Sequence, residues 1–238
     1  MPDSSSAVFA ERFFQDLDAR IARYDLLQHP FYTAWSRGEL TRDDLREYAG
    51  EYWHQVSAFP TYLSALHSQL PDGELRRTVL ANLADEEGMR DGTPHSDMWM
   101  DFARGMGAKE AGVRSRDLNA ETRAMISHFR ETMYGSPAEA LAALYAYESR
   151  VPAIAATKSE GLQNHYAADE TTRRYFTVHT VADVFHSQVW RDLLAAEIAA
   201  DPEQAEIALE SAENTARALW TTLDGIEAGR QSRLAAAA

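Results

Sequence analysis

The spacing of apolar residues is the feature that most constrains the fold, because they recur at intervals of three and four through most of the chain. This spacing matches amphipathic helices, whereas strand-like alternation bounded by turn residues is nearly absent. We therefore expect an all-α protein that forms a single compact bundle of seven or eight helices. With 238 residues, 45% of them hydrophobic, the chain can bury one core. No internal repeat is evident, so the expected domain spans residues 1–238, with a disordered tail from about residue 230.

Capping residues place several helix boundaries. Thr41 precedes two aspartates and begins a long predicted helix, and Ser136 lies three residues before Glu139, as in a capping box. Pro152 has no N–H to donate to the carbonyl of Glu148. We therefore expect a kink beside that glutamate.

The charge and the absence of cysteine exclude several classes of function. Because the formal net charge is −14, the protein would repel nucleic acid and anionic lipid. The first residues lack the basic and apolar regions of a signal peptide, and no apolar run is long enough to span a membrane. We expect a cytoplasmic protein without nucleic-acid or membrane partners. Thiolate catalysis and iron–sulfur clusters are excluded, which leaves histidine, aspartate and glutamate as the strong metal ligands.

The segment HTVADVFH is the most specific local pattern in the sequence. His179, Asp183 and His186 occupy positions zero, four and seven of a predicted helix, and lie within roughly 60° of arc on one face. The neighbouring positions are apolar, namely Val178, Val181, Ala182, Phe185 and Val189. This context favours a polar stripe that faces inward, and a solvated helix face is the alternative.

Isolated acidic residues also occur in apolar helical context elsewhere. Glu148 lies within LAALYAYESRVPAIA, and either Glu86 or Glu87 ends the helix LANLADEE before His95 begins the next one. A buried carboxylate is rare unless it is paired or binds a metal, because its desolvation is costly. These residues are therefore candidates for the same site as the HTVADVFH stripe.

The combined candidate set has three carboxylates and three imidazoles on four predicted helices. Its members are Glu86, His95, Glu148, His179, Asp183 and His186. Two divalent transition-metal ions would outweigh the three anions by a single positive charge, which oxygen-derived ligands can offset. Iron or manganese suits mixed nitrogen and oxygen ligands. Zinc fits the ligands too, but it would not activate O2.

These motifs resemble the ligand pattern of haem-oxygenase-like dimetal oxidases. The strings HPFYTAWSRGELT, AFPTYLSALHSQL, NLADEEG, ALYAYESRVPAIA and YFTVHTVADVFH look like the CADD family, over roughly residues 13–223. The resemblance implies a haem-oxygenase-like bundle and the six metal ligands given above. The stretch between Glu86 and His95 is about two residues longer than the family pattern, so Glu87 stays an alternative ligand.

The resemblance also implies an activity. Members of this family form para-aminobenzoate for folate biosynthesis, as O2-dependent dimetal oxygenases that use Fe/Fe or Mn/Fe and an external reductant. By the same resemblance, Tyr32 in HPFYTAW supplies the aromatic ring and Lys158 in IAATKSEG supplies the nitrogen. The chain has only one other lysine, Lys109.

Several further tyrosines lie near the motifs. Tyr147 and Tyr175, like Tyr48 and Tyr145, would relay electrons or donate hydrogen bonds in such a site, and ordinary core packing is the alternative. Two other functions stay open at this point. One is a dimetal oxygenase that turns over an external small molecule, and the other is a non-enzymatic interaction protein, as the family name (chlamydial protein associating with death domains) suggests. A homodimer is compatible with each of them.

Overall fold

The computed structural model describes residues 4–89 and 92–237. Within these ranges the chain forms α-helices and one short 3₁₀-helix (Leu26–Gln28) without any strand, which confirms the all-α class. The α-helices are α1 (Ser4–Ala22), α2 (Pro30–Ser36), α3 (Arg42–Gln69), α4 (Glu74–Glu86), α5 (His95–Gly105), α6 (Glu110–Arg114), α7 (Ala120–Thr132), α8 (Pro137–Glu148), α9 (Val151–Tyr166), α10 (Glu170–Ala200) and α11 (Gln204–Ala237). They outnumber the seven or eight expected, because short helices such as α2 and α6 lie within connections that have no long apolar repeat.

The expected caps are present. Thr41 and Asp44 form a capping box at the start of α3, and Ser136 and Glu139 form one at the start of α8. Each box satisfies backbone N–H groups that a helix start would otherwise leave without partners. Such local hydrogen bonds explain why the sequence predicts these two boundaries closely.

The predicted kink beside Glu148 is a complete break between two helices. Glu148 is the last residue of α8, and α9 begins at Val151 with Pro152 in its first turn. Proline is tolerated there because the first N–H groups of a helix have no partner within that helix. The boundary between the two helices therefore falls directly after the candidate ligand.

Helix α10 lies at the centre of the packing. It contacts α5, α8 and α9, while α11 packs on α7 and α8. The core around α10 is rich in aromatic side chains, and Trp99, Trp190 and Phe176 are almost fully buried. A polar stripe on α10 is therefore brought into the interior of the bundle.

The end of α11 differs from the expected disordered tail, since the stretch from residue 230 is helical up to Ala237. Arg230 and Arg233 of this stretch lie 3.4 and 3.1 Å from the buried carboxylate of Asp44. Alanine also has the highest helix propensity, which favours helix in the last residues. In the described part of the chain, no helix combines the length and apolarity that crossing a bilayer requires.

Candidate metal centre

The three polar residues of the α10 stripe face the interior, as the sequence predicts. His179, Asp183 and His186 are 4%, 3% and 7% exposed. Their apolar neighbours do not share this environment, because Val181 and Phe185 are 74% and 69% exposed. The inward orientation of the stripe therefore comes from the packing of α10 against α5 and α8, and not from burial of all the residues around it.

The structure brings the six candidate ligands together as two groups of three. Glu86, His95 and His179 form the first cluster, and Glu148, Asp183 and His186 form the second. Within each cluster one potential ligand atom per residue lies within 4.8 Å of the others, and all six residues are buried. The alternative residue Glu87 is exposed.

In the first cluster, polar contacts fix the orientation of the candidate ligands. His179 Nδ1–H donates to the carbonyl oxygen of Tyr175 at 2.6 Å, which leaves Nε2 as the nitrogen with a free lone pair. His95 Nδ1 lies 2.9 Å from Glu86 Oε2. Burial raises the pKa of Glu86, but His95 outweighs burial and holds this pKa below its ordinary value. Glu86 is therefore an ionised ligand candidate.

In the second cluster, the Asp183 carboxylate opposes the ionisation of Glu148. Burial and the nearby Asp183 carboxylate raise the pKa of Glu148 well above its ordinary value. Burial lowers the pKa of His186, but Asp183 and Glu148 outweigh it and raise this pKa to about 9. Trp190 Nε1–H donates to Glu148 Oε2 at 2.5 Å and orients that carboxylate.

Both clusters fit a transition-metal ion on the chemistry of their donors. Each offers buried carboxylate and imidazole atoms at close range, and a divalent cation would relieve the repulsion between Glu148 and Asp183. His186 Nδ1 is buried and forms no hydrogen bond with the described residues. Mixed nitrogen and oxygen donors suit iron and manganese. The helices α4, α5, α8 and α10 thus present two adjoining sites, each with three protein ligands.

Lys158 and Tyr32 meet inside the bundle. Lys158 Nζ donates to the hydroxyl oxygens of Tyr32 and Tyr48, each at 2.7 Å, and the two hydroxyl groups lie 3.0 Å apart. Lys158 is only 6% exposed, and burial lowers the pKa of its amine well below the ordinary value. A lysine in this environment loses its proton more readily than an exposed lysine, which favours its nucleophilic form.

Aromatic rings connect the first cluster with this lysine–tyrosine pair. The Tyr175 ring stacks on His179 at 4.0 Å between centroids and meets the Trp99 ring at 4.8 Å. Trp99 in turn lies 5.7 Å from the ring of Tyr48. The path therefore runs without a gap from a candidate ligand to the partner of Tyr32.

The other tyrosines divide into two groups. Tyr147 and Tyr175 line the cavity that contains Tyr32 and Lys158, and both also line a small space between the two clusters. Tyr145 lies elsewhere, because its hydroxyl donates to Asp18 at 2.7 Å. The candidate roles of Tyr147 and Tyr175 therefore have a spatial basis, whereas Tyr145 serves packing between α1 and α8.

Sequence reasoning did not single out Trp99 or Trp190. Trp99 lies between Tyr175 and Tyr48, and Trp190 binds Glu148. The only available signal for Trp190 was its position four residues after His186, on the same face of α10. No local pattern distinguishes Trp99 from an ordinary core residue.

Comparison with known proteins gives matches in both sequence and fold. The model of a family described as iron-containing redox enzymes matches residues 46–220. A 4-aminobenzoate synthase of Nitrosomonas europaea is 41% identical over 227 residues, or 90% of each chain. One of Chlamydia muridarum is 36% identical over 215 residues, or 89% of each chain. A Shewanella denitrificans domain with a haem-oxygenase-like fold superposes with a TM-score of 0.78 at 18% identity, over 93% of each chain.

Proposed function

Because the chain belongs to the family of iron-containing redox enzymes that includes the 4-aminobenzoate synthases, we propose that it makes 4-aminobenzoate (para-aminobenzoate) from its own side chains. Its membership confirms the family resemblance carried by the motifs, and the haem-oxygenase-like fold with it. The observation that carries the proposal is the 2.7 Å contact between the Lys158 amine and the Tyr32 hydroxyl.

The chemistry of the product explains why this contact matters. 4-Aminobenzoate carries a carboxylate and an amine at opposite ends of a benzene ring, and a tyrosine ring carries Cβ and a hydroxyl at the same two positions. Conversion of Tyr32 breaks its Cα–Cβ bond and oxidises Cβ to the carboxylate, with O2 as the oxidant. The ring hydroxyl leaves as water and is replaced by the Lys158 nitrogen, whose bond to Cε breaks. The Lys158 amine is in contact with the end of the ring where nitrogen must be introduced.

The oxidant would be O2, activated by two metal ions. We propose that Glu86, His95 and His179 hold one ion and that Glu148, Asp183 and His186 hold the other, as Fe/Fe or Mn/Fe. When bound, these ions would react with O2 and an external reductant. Tyr147 and Tyr175, between the clusters and the cavity, would carry electrons from Tyr32 toward the metals.

The surroundings of Tyr32 and Lys158 suit such chemistry. Tyr32 is 4% exposed, and six aromatic rings lie within 6.0 Å of the Lys158 amine. The rings exclude water, which protects reactive species from side reactions. They also keep the amine poorly hydrated, and so favour its neutral form.

The test is aerobic incubation of metal-loaded protein with a reductant, followed by intact mass and small-molecule analysis. Protein that contains ring-labelled tyrosine should release labelled 4-aminobenzoate, at no more than one molecule per chain, and lose the corresponding mass at position 32. Tyr32→Phe preserves the packing and should abolish the product while metal content is retained. Tyr145→Phe is the matched control, because its hydroxyl lies outside the cavity.

Two results would contradict the proposal. Unlabelled product from labelled protein would place the source of the ring outside the chain. Formation of more than one product per chain, dependent on an added compound, would favour a dimetal oxygenase that turns over an external small molecule.

A further inference from the structure

The cavity that contains Tyr32 and Lys158 has a second basic side chain in its lining. This residue is Arg150, which directly precedes α9 and is exposed, whereas Lys158 is buried. The rest of the lining is mostly apolar or aromatic, and includes Tyr24, Leu26, Ile154 and Leu219. The cavity therefore has a basic group at its buried end and the arginine where it reaches the surface.

The side chain of Arg150 has no evident structural role. Its guanidinium forms no ion pair or hydrogen bond with the described residues, although the chain carries 37 acidic residues and 23 basic ones. The first turn of α9 lies at the same place, because Val151 and Ile154 also line the cavity. The positive end of the α9 dipole thus adds to the charge of Arg150. An unpaired arginine over an apolar cavity is suited to a planar carboxylate, which it binds through two parallel hydrogen bonds.

We propose that Arg150 and the adjoining apolar lining form a binding site for an aromatic carboxylate, which the product occupies as it leaves the cavity. This inference rests on the proposed function for the identity of the ligand. The ring of the ligand packs on the apolar side chains, and its carboxylate pairs with the guanidinium. In a chain with a net charge of −14, such a site offsets the repulsion that an anion otherwise meets.

The size of the cavity determines how the site is tested. In the intact chain the cavity has a volume of about 50 Å³. A cavity of about 150 Å³ is of the size that admits benzene. Removal of the Tyr32 ring, by the proposed reaction or by mutation, supplies the missing space. The full chain with Tyr32→Ala is therefore the appropriate form for binding measurements.

The experiment measures 4-aminobenzoate binding to the Tyr32→Ala chain by isothermal titration calorimetry, in the absence of metal and reductant. Adding Arg150→Gln should weaken binding at least fivefold. Adding Arg76→Gln should not, because Arg76 is exposed and unpaired on α4, which contributes nothing to the cavity. Aniline, which lacks the carboxylate, should bind the Tyr32→Ala chain with and without Arg150→Gln equally.

Binding of 4-aminobenzoate that stays within twofold after Arg150→Gln would overturn the inference, as would absence of binding to a folded Tyr32→Ala chain at millimolar concentrations. If Tyr32→Ala fails to fold, as judged by circular dichroism, Tyr32→Ser, which leaves a space of similar size, is used for the same comparison. Because binding requires no turnover, the two proposals fail separately. If the protein makes 4-aminobenzoate but binds it independently of Arg150, only this inference is contradicted. If the protein binds 4-aminobenzoate through Arg150 but never makes it, only the proposed function is contradicted.

Discussion

At the scale of single residues, the two lysines of the chain show how surroundings set reactivity. Lys109 is exposed and directly precedes α6. Lys158 has the same side chain, but burial among aromatic rings lowers its pKa and brings its amine against Tyr32. Of the two lysines, only Lys158 therefore has the position that a nitrogen donor to Tyr32 requires.

This contrast gives a prediction with an internal control. Lys158→Arg keeps a cationic group that does not lose its proton, and should abolish 4-aminobenzoate formation while metal content is retained. Lys109→Arg should leave product formation unchanged. Protein labelled with ¹⁵N at the lysine side chains should yield ¹⁵N-labelled product by mass spectrometry, also from the Lys109→Arg variant. Parental yield from Lys158→Arg would exclude Lys158 as the donor.

The metal ligands give a second prediction at this scale. His179→Ala removes one of the three ligands of the first cluster, so elemental analysis should find a loss of about one ion per chain relative to the parent protein. O2 consumption with a reductant should fall below detection. His67→Ala is the control. His67 lies in the last turn of α3, so this variant should keep the parental metal content and O2 consumption. A His179→Ala protein with the full metal content would refute the assignment of this ligand.

At the scale of elements, the short helix α2 is held by a histidine cap. His29 Nδ1 accepts a hydrogen bond from the Phe31 N–H at 3.1 Å, and its Nε2 lies 3.1 Å from Asp224 Oδ1. The cap requires Nδ1 without a proton. It fixes the first turn of α2, which contains Tyr32.

The cap predicts a dependence of stability on pH. Burial lowers the pKa of His29 below its ordinary value, although Asp224 and Glu227 on α11 oppose the shift. In the unfolded chain His29 titrates near pH ~6.5, so it binds a proton there before it does so in the folded protein. Its contribution to the free energy of unfolding is therefore complete above pH ~6.5 and is lost as the pH falls below that value.

His29→Asn tests this dependence, since asparagine is a good capping residue that does not titrate. Urea unfolding between pH 7.5 and 5 should show a smaller loss of stability for this variant than for the parent. His67→Asn should retain the parental dependence. Equal loss for His29→Asn and the parent would show that His29 does not contribute.

The elements also show which parts of the site were predictable. The shared face of His179, Asp183 and His186 follows from the local geometry of one helix, so the sequence predicted it directly. The contact between Tyr32 and Lys158 joins residues 126 positions apart, through packing of α2 on α9. No local pattern contains that information, and only the family resemblance pointed to this pair.

The number of helices and the positions of their ends show the same limit of prediction from local sequence patterns. Side-chain capping identified the starts of α3 and α8, because Thr41 and Ser136 act within one turn. The length of α11 depends instead on Arg230 and Arg233, which reach Asp44 on a distant helix. Tertiary ion pairs of this kind cannot be read from periodicity.

At the scale of the whole molecule, the two clusters link metal binding to folding. Without ions, the native bundle buries three carboxylates and three histidines close together, which costs free energy. Ions that bind only the folded chain should stabilise it by about 2.7 kcal/mol per site at a concentration of 100 Kd. Anaerobic thermal unfolding should therefore show a higher Tm with Mn²⁺ or Fe²⁺ than with chelator.

A matched variant separates this effect from nonspecific binding. Asp183→Asn with His186→Gln removes two ligands and one of the opposed carboxylates of the second cluster. The double variant should show a smaller metal-dependent rise in Tm than the parent. An equal rise would mean that the stabilising ions bind elsewhere.

The burial of Tyr32 and Lys158 within the bundle ties supply of the product to protein synthesis. Neither side chain can be replaced, because each is covalently attached to the polypeptide backbone and is buried among packed helices. On the proposed chemistry, each molecule of product then requires translation of a new 238-residue chain. A cell would adjust the output through transcription, messenger lifetime and ribosome loading, and the abundance of spent chains would record how much product it had made.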